Sequence, residues 1–337
     1  MPHRVGHLWE KIGTLENVER AWDVYNRNRP CRLRREFNPK RCKEIYERLC
    51  RIAEGEKDDL FSKIRRRTIF EHGKERQLEI PTFDGFIAQQ AVFNVLAPLF
   101  DSRLHGRTYS SRPGWGMHKC ARAQMRLINT KPALAKYFLY FDIKKFYQHI
   151  QHKDVYDAVE RIVKDERVMR VVGEILNATP KGLPIGFTGS HHFANLLVVP
   201  LYYLIRGVEK VSDCYVYMDN FIVYGRTKRS LHIAQGEAEA YLAELGMQMK
   251  PDWQIAPLQG RPINTCGVKL KRGDTPKLYK KLNHRNFRNI DKFLEDPTPH
   301  LARGLMSRYG WLMEVKREHI LSDAVPLDYA KSKGKTK

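Results

Sequence analysis

Residues 215–225 read YVYMDNFIVYG. Two runs rich in β-branched and aromatic residues, YVYM and FIVYG, flank Asp219 and Asn220, which predicts a tight β-hairpin with a carboxylate and an amide at its tip. Both residue types suit two-residue turns because they tolerate left-handed backbone angles, so turn chemistry alone accounts for them. A second strand changes the weight of the observation. KYFLYFDIKKFYQHI, residues 136–150, opens as an apolar strand that stops at Asp142. Carboxylates at two strand ends are what phosphoryl transfer to a sugar hydroxyl requires. Two Mg²⁺ ions about 4 Å apart can be held by few protein oxygens, with substrate phosphates completing their shells.

The charge balance points the same way. The chain has 337 residues, 42% of them hydrophobic, enough for a sizeable core and two or three subdomains. Its 60 Lys and Arg against 38 Asp and Glu give a formal charge of +22, so a polyanion is the natural partner. The basic residues recur along the whole chain without forming a basic amphipathic anchor, which favours nucleic acid over a membrane surface. The six cysteines (Cys31, Cys42, Cys50, Cys120, Cys214, Cys266) include no C-x-x-C pair and follow no secretory signal. They are expected to be reduced thiols in a cytoplasmic protein. No apolar run is long enough for a membrane span. His191 and His192 are adjacent, so their side chains are expected to point apart and serve packing.

Along the chain, LWEKIGTLENVERAWDVYNR and PKRCKEIYERLCRIAEG carry apolar residues at helical spacing, the second closed by Gly55. KIRRRTIFEHGKERQLEIP predicts a basic hairpin, and GFIAQQAVFNVLAPLFD returns to helical period. YSSRPGWGMHKC is a Gly/Pro-punctuated loop that leads into a helix. HKDVYDAVERIVKDERVMRVVGEILNA reads as helical. KGLPIGFTGSHHFANLLVVPLYYLI begins as a Gly-rich loop and becomes one long apolar helix with Ser190 as N-cap. After the YMDN hairpin come a helix near SLHIAQGEAEAYLAELG, a strand near WQIAPL and a further strand at NTCGVKLKR. Residues 283–322 are basic and helical in pattern, and KSKGKTK is a tail disordered by composition.

These segments resemble a reverse transcriptase. FDIKKFYQHI, GLPIGFTGSHHFANLLVVPL, YMDNF and KPDWQIAPLQGRPINTCGVKL follow one another as that family's aspartate-bearing strand, template loop, catalytic hairpin and primer-grip region do. GKERQLEIPTFDGFIAQQAVFNVL and YSSRPGWGMHKC resemble its fingers motifs, so the likeness spans about residues 8–322. Within the family the chain is most similar to the enzymes of diversity-generating retroelements. Those carry an apolar residue before the template-loop Gly, as Ile185 precedes Gly186 here, together with a KPxWQ pattern matched by residues 250–254 and a late YxGWL segment that SRYGWL resembles. His191 departs from the subgroup, which usually has Gln there.

The resemblance implies an α+β fold, the polymerase right hand with an antiparallel palm sheet flanked by helices. Residues 1–60 would form an N-terminal helical extension, 61–135 the fingers, 136–270 the palm with a helical and template-loop insertion at 150–195, 271–325 the thumb and 326–337 a basic tail. It implies that Asp142 and Asp219 bind two Mg²⁺ or Mn²⁺ ions, with the backbone carbonyl of Ile143 as a further ligand and Asn220 in the catalytic hairpin. Tyr147 resembles the steric gate against the sugar 2′ position, and Lys74 and Arg76 the cations on the incoming triphosphate. Gly186 would let backbone approach the templating pair, and Lys250 would lie near the leaving pyrophosphate. Pro184, Ile185 and Ser190 would shape template fidelity, and Cys266 and Gly267 the primer grip.

The partners implied are an RNA template, a DNA or RNA primer, deoxynucleoside triphosphates and a small basic accessory protein, in a bacterial or phage-encoded cytoplasmic enzyme. The chief departure is Asn220, because the family hairpin usually ends in two aspartates. An amide lacks the second negative charge, which predicts weaker or altered metal dependence. Three readings stay open beside the retroelement one. They are a retron or phage-defence reverse transcriptase, an intron maturase, disfavoured because few residues follow the expected thumb, and a catalytically dead nucleic-acid-binding scaffold.

Overall fold

The structure, a computed structural model, describes residues 3–27, 29, 31–71, 74–259, 261–265, 268–273 and 277–278, with the single residues 292, 295 and 298. The expected thumb helices, the basic tail, Cys266 and Gly267 lie outside the described residues.

In chain order the first elements are α1 (Trp9–Ile12), α2 (Leu15–Arg27), α3 (Pro39–Glu54), β1 (Ile64–Glu71), β2 (Lys74–Pro81), α4 (Phe83–Arg103) and α5 (Met117–Thr130). There follow β3 (Tyr137–Asp142), α6 (Phe146–His149), α7 (His152–Glu160), α8 (Glu166–Asn177), α9 (Ser190–Leu197) and α10 (Val199–Gly207). The last are β4 (Val211–Tyr217), β5 (Asn220–Gly225), α11 (Lys228–Glu244), β6 (Gln254–Pro257), β7 (Ile263–Thr265), β8 (Val268–Leu270) and β9 (Lys277–Leu278). The fold class is α+β. Every strand pairing whose register is resolved, β1 with β2, β3 with β6, β4 with β5, β7 with β8 and β8 with β9, is antiparallel.

The chain divides into two compact units. The first comprises Met1–Ser111, Asp142–Ile205 and Gly236–Pro251 and is mainly helical. Its centre is α4, apolar around most of its circumference and therefore buried, where Phe93 meets Phe100 and Phe193 edge-on. At the start of α3 the Asn38 side chain accepts from the Arg41 N–H at 3.1 Å, with Pro39 in the first turn. The helix stops at Gly55, whose φ of 94° lies in the left-handed region. The basic hairpin forms as eight paired residues on each side.

Two helical readings need correction. The stretch expected as one helix after residue 151 breaks between α7 and α8, where Val163 instead forms a parallel bridge to Val5 of the N-terminal segment. The apolar helix expected from Ser190 breaks at Val198, because Pro200 lacks an N–H and its ring clashes with the carbonyl four residues back. Its N-cap is Gly189, and the Ser190 hydroxyl donates to the Pro184 carbonyl at 2.6 Å.

The second unit comprises Arg112–Phe141, Arg206–Gln235 and Asp252–Lys337. Its main sheet has the strand order β4-β5-β3-β6. Phe138, Phe141, Tyr215, Phe221 and Tyr224 are all buried, with Phe141 and Phe221 stacked at 4.7 Å. The fully buried Gln124 of α5 ties the unit together. It accepts from the Tyr224 hydroxyl at 3.0 Å and donates to Thr265 Oγ1 at 3.4 Å. NTCGVKLKR, expected as one strand, holds two, since the ladder from Ile263 with Leu270 to Thr265 with Val268 reverses the chain within it. No helix among the described residues is long and apolar enough to cross a membrane.

Candidate active site

In the first unit Asp142 closes β3 and is buried. Its carboxylate is ion-paired with the Lys250 ammonium, and its backbone carbonyl accepts the Lys250 N–H at 2.8 Å. Ile143, fully buried, bridges to Met249, and the Lys144 N–H donates to the Gln248 carbonyl at 2.9 Å, so the backbone at Asp142 and just after it is pinned. The chain then turns through Lys145, at φ 48°, into α6 with its half-buried Tyr147.

The glycine-rich loop before α9 is braced from three sides. The Leu183 N–H donates to the Tyr147 carbonyl at 2.7 Å, and the Glu79 N–H of β2 to the Ile185 carbonyl at 2.9 Å. The buried Gln89 of α4 accepts from the Thr188 N–H at 3.1 Å, and the Ser190 hydroxyl closes the loop onto Pro184. Two glycines make this packing possible. Gly182 has φ +72°, and a Cβ there would lie 2.7 Å from the Tyr147 carbonyl oxygen. Gly186 has φ +129°, with the Glu79 carbonyl oxygen 2.6 Å from its would-be Cβ, so the backbone that comes close to it is that of β2.

On the basic hairpin, cross-strand register puts Arg65, Arg67 and Arg76 on one face together with Ile69, Leu78 and Ile80. The opposite face carries Arg66, 3.4 Å from Glu79, and Phe70, which is 79% exposed. Lys74 opens β2, but its side chain is outside the described residues. His192 stacks on Phe93 at 5.5 Å and meets the His191 ring at 4.1 Å, so the adjacent rings touch where they were expected to diverge. Burial, followed by the neighbouring His191, pushes the His192 pKa down to about 3. The ring is neutral at physiological pH and is a packing group.

In the second unit, Tyr217 pairs with Asn220, so the two turn residues are Met218 and Asp219. The expected tip, Asp219 and Asn220, is displaced by one residue. The left-handed position falls on Met218, at φ 55°, and Asn220 is the first residue of β5. Register explains the displacement. Moving the turn by one residue would invert the alternation of β5 and take Phe221 off Phe141. A left-handed methionine is uncommon and strained, which marks the tip as a constrained backbone. The Asn220 side chain is engaged on both sides: its Oδ1 accepts from the Tyr140 hydroxyl at 2.8 Å, and its Nδ2 lies 3.4 Å from Asp219 Oδ1 as a weak donor.

Among the described residues no cluster of three or more His, Cys, Asp or Glu side chains assembles. Taken singly, the carboxylates of Asp142 and Asp219 and the Ile143 carbonyl offer hard oxygens of the kind that Mg²⁺ takes, with substrate phosphates and water for the rest of its shell. The Lys250 ammonium on Asp142 shows that this carboxylate draws a cation.

Sequence reasoning missed Gln89, Gly182, Glu79 and Tyr140. Gln89 could have been found as an amide within an apolar helical run, and Gly182 as the first glycine of a Gly-rich loop. Glu79 acts through its backbone and Tyr140 lies in an apolar strand, so neither carries a local signal.

Comparison with known proteins gives these features a family. Protein YkfC of Escherichia coli (strain K12) is 23% identical over 138 residues, 38% of this chain and 36% of that protein. Nuclear intron maturase 1, mitochondrial, of Arabidopsis thaliana is 24% identical over 112 residues, 32% of this chain and 15% of that protein. The chain thus matches only about a third or less of these relatives' lengths. Among solved structures, apo telomerase from Candida tropicalis superposes with a TM-score of 0.49 at 12% identity, covering 68% of this chain and 52% of that one. The family model for reverse transcriptase (RNA-dependent DNA polymerase) matches residues 61–256, more than half of the sequence. From the arginine-rich hairpin to β6, the chain belongs to the reverse transcriptase family.

Proposed function

We propose that the chain is an RNA-directed DNA polymerase, a nucleotidyltransferase that copies an RNA template from a DNA or RNA primer. The observation that carries the reading is the sheet order β4-β5-β3-β6, in which the strand closed by Asp142 is the neighbour of the strand that follows Asp219. Asp142 and Asp219, with the Ile143 carbonyl, would hold two Mg²⁺ ions, or Mn²⁺ in their place. When bound, the metal supplies charge neutralisation for the triphosphate and acidifies the primer 3′ hydroxyl. The 3′ oxygen forms a bond to the α-phosphorus as the bond to pyrophosphate breaks.

The chain's own residues then divide the work. Arg76 and Lys74 bind the triphosphate, and Lys250 lies toward the leaving pyrophosphate. Tyr147 excludes a ribose 2′ hydroxyl, so deoxynucleotides are used. Pro184, Ile185, Gly186 and Ser190 shape the template side of the nascent pair, and Cys266 and Gly267 grip the primer. Asn220 is a positioning residue: the Tyr140 hydroxyl fixes its oxygen, which leaves its NH₂ group to steady Asp219. An aspartate could keep the first bond but has no N–H for the second.

The finer reading is error-prone cDNA synthesis in a diversity-generating retroelement, assisted by a small basic protein in a bacterial or phage-infected cytoplasm, with no membrane role. Ile185 before Gly186 and the KPDWQ and SRYGWL segments support it. Sequencing the product copied from a defined RNA tests it. Errors concentrated opposite template adenines, reduced in Ile185→Gln, support the retroelement reading, and accurate copying selects a retron or phage-defence enzyme. A catalytically impaired scaffold is the second reading, favoured by the missing carboxylate at Asn220. It predicts duplex binding without extension in either metal.

A further inference from the structure

A cavity of about 1170 Å³ lies in the first unit, lined by Arg4, Arg103, Arg161, Lys164, Glu160 and Tyr203 among others. The N-terminal segment builds one wall. The Val5 N–H donates to the Ile162 carbonyl and the Lys164 N–H to the Val5 carbonyl, each at 2.8 Å, and the Arg103 guanidinium donates to the His3 carbonyl at 3.1 Å. The Arg4 guanidinium donates to the Val163 carbonyl at 3.0 and 3.2 Å. These acceptors are neutral, so they orient the guanidiniums without cancelling their charge. None of Arg4, Arg103, Arg161 and Lys164 is ion-paired among the described residues, and Glu160 is the one carboxylate among the lining residues.

One aromatic ring joins these cations in the lining. Tyr203 of α10 is 57% exposed and its ring is set edge-on to His105, which itself stacks on Tyr202 at 3.5 Å. A charged groove beside an exposed ring is the combination that holds single-stranded nucleic acid, phosphates on the cations and a base on the ring. The site is separate from the basic hairpin. β2 leads into the start of α4, whereas Arg103 is that helix's last residue, and 21 residues at 1.5 Å each set the two ends about 30 Å apart.

We propose that this cavity binds a single-stranded RNA segment of a few nucleotides, away from the basic hairpin. The inference goes beyond the polymerase reading and does not depend on it, so it is tested without deoxynucleotides in an Asp142→Ala, Asp219→Ala background. A short RNA bearing 4-thiouridine is expected to cross-link to the peptide that carries Tyr203. By fluorescence anisotropy at about 0.1 M salt, Arg161→Gln with Lys164→Gln should weaken RNA binding at least about fivefold. Losing two phosphate contacts should also make the log–log salt dependence shallower by about 1.4. Tyr203→Leu should weaken binding roughly tenfold, within the range for one stacked base. Lys11→Gln with Arg20→Gln, an exposed pair on α1 and α2, removes the same charge elsewhere. An equal loss in that pair, unchanged binding in the cavity variants, or cross-links elsewhere only would overturn the proposal. Competition by polyglutamate as effective as by RNA would also overturn it, in favour of an acidic protein partner.

Discussion

The two carboxylates are held in different ways. Asp142 is buried at a strand end, ion-paired to Lys250, with backbone hydrogen bonds at it and just after it. Asp219 is half-buried on a two-residue turn whose first residue is a strained left-handed methionine. Its side chain is steadied through Asn220, which the Tyr140 hydroxyl holds in turn. One aspartate is fixed by the fold around it and the other by a short polar relay on a tight turn. The family's second hairpin aspartate is replaced in this chain at the relay, where a donor is useful, and the carboxylate that the turn presents is retained.

Five changes would break or sharpen this contrast. The largest effect belongs to Asp219→Ala, expected to lower kcat for primer extension at least a hundredfold, the scale of losing one preorganised charge-stabilising group. Asn220→Ala should cost roughly tenfold by the same assay, since the relay is lost and the carboxylate remains. At the fixed site, Lys250→Met removes the ammonium from a buried carboxylate. It should cost about 1–3 kcal/mol in thermal unfolding with EDTA present, and millimolar Mg²⁺ should restore part of that loss by occupying Asp142. Gly186→Ala forces a left-handed alanine against the Glu79 carbonyl, so a loss of about 1–3 kcal/mol in unfolding, with a raised KM for deoxynucleotides, is expected. The smallest effect is that of Tyr140→Phe, a fewfold drop in kcat that adds nothing when combined with Asn220→Ala. Full additivity of those two would show that they act separately.

Much of this was legible in the sequence, for identifiable reasons. The hairpin of β1 and β2 and the strand ending at Asp142 announce themselves through residue alternation and apolar runs, and α3 through its helical spacing and the closing Gly55. The YMDN hairpin was legible as an element, yet its turn was misplaced by one residue. Local propensity favours Asp and Asn at the tip, whereas stacking of Phe221 on Phe141 decides the register, and that contact joins distant segments. The relay from Tyr140 to Asn220 spans 80 positions and was invisible for the same reason. The braces on the glycine-rich loop before α9 use backbone groups of Glu79, Tyr147 and Ile185, which no side-chain pattern encodes. The break at Val198 was foreseeable, because Pro200 stands in the quoted helix and its consequence follows from its missing N–H.

The central claim is RNA-templated DNA synthesis at Asp142 and Asp219. Its most direct test is primer extension on a primed RNA template with deoxynucleotides, in Mg²⁺ and in Mn²⁺, using the wild type, Asp142→Ala and Asn220→Asp. The account predicts metal-dependent extension by the wild type, its loss in Asp142→Ala, and no gain in Asn220→Asp beyond a shift in metal requirement. Duplex binding without extension in either metal, with product appearing only in Asn220→Asp, would contradict it.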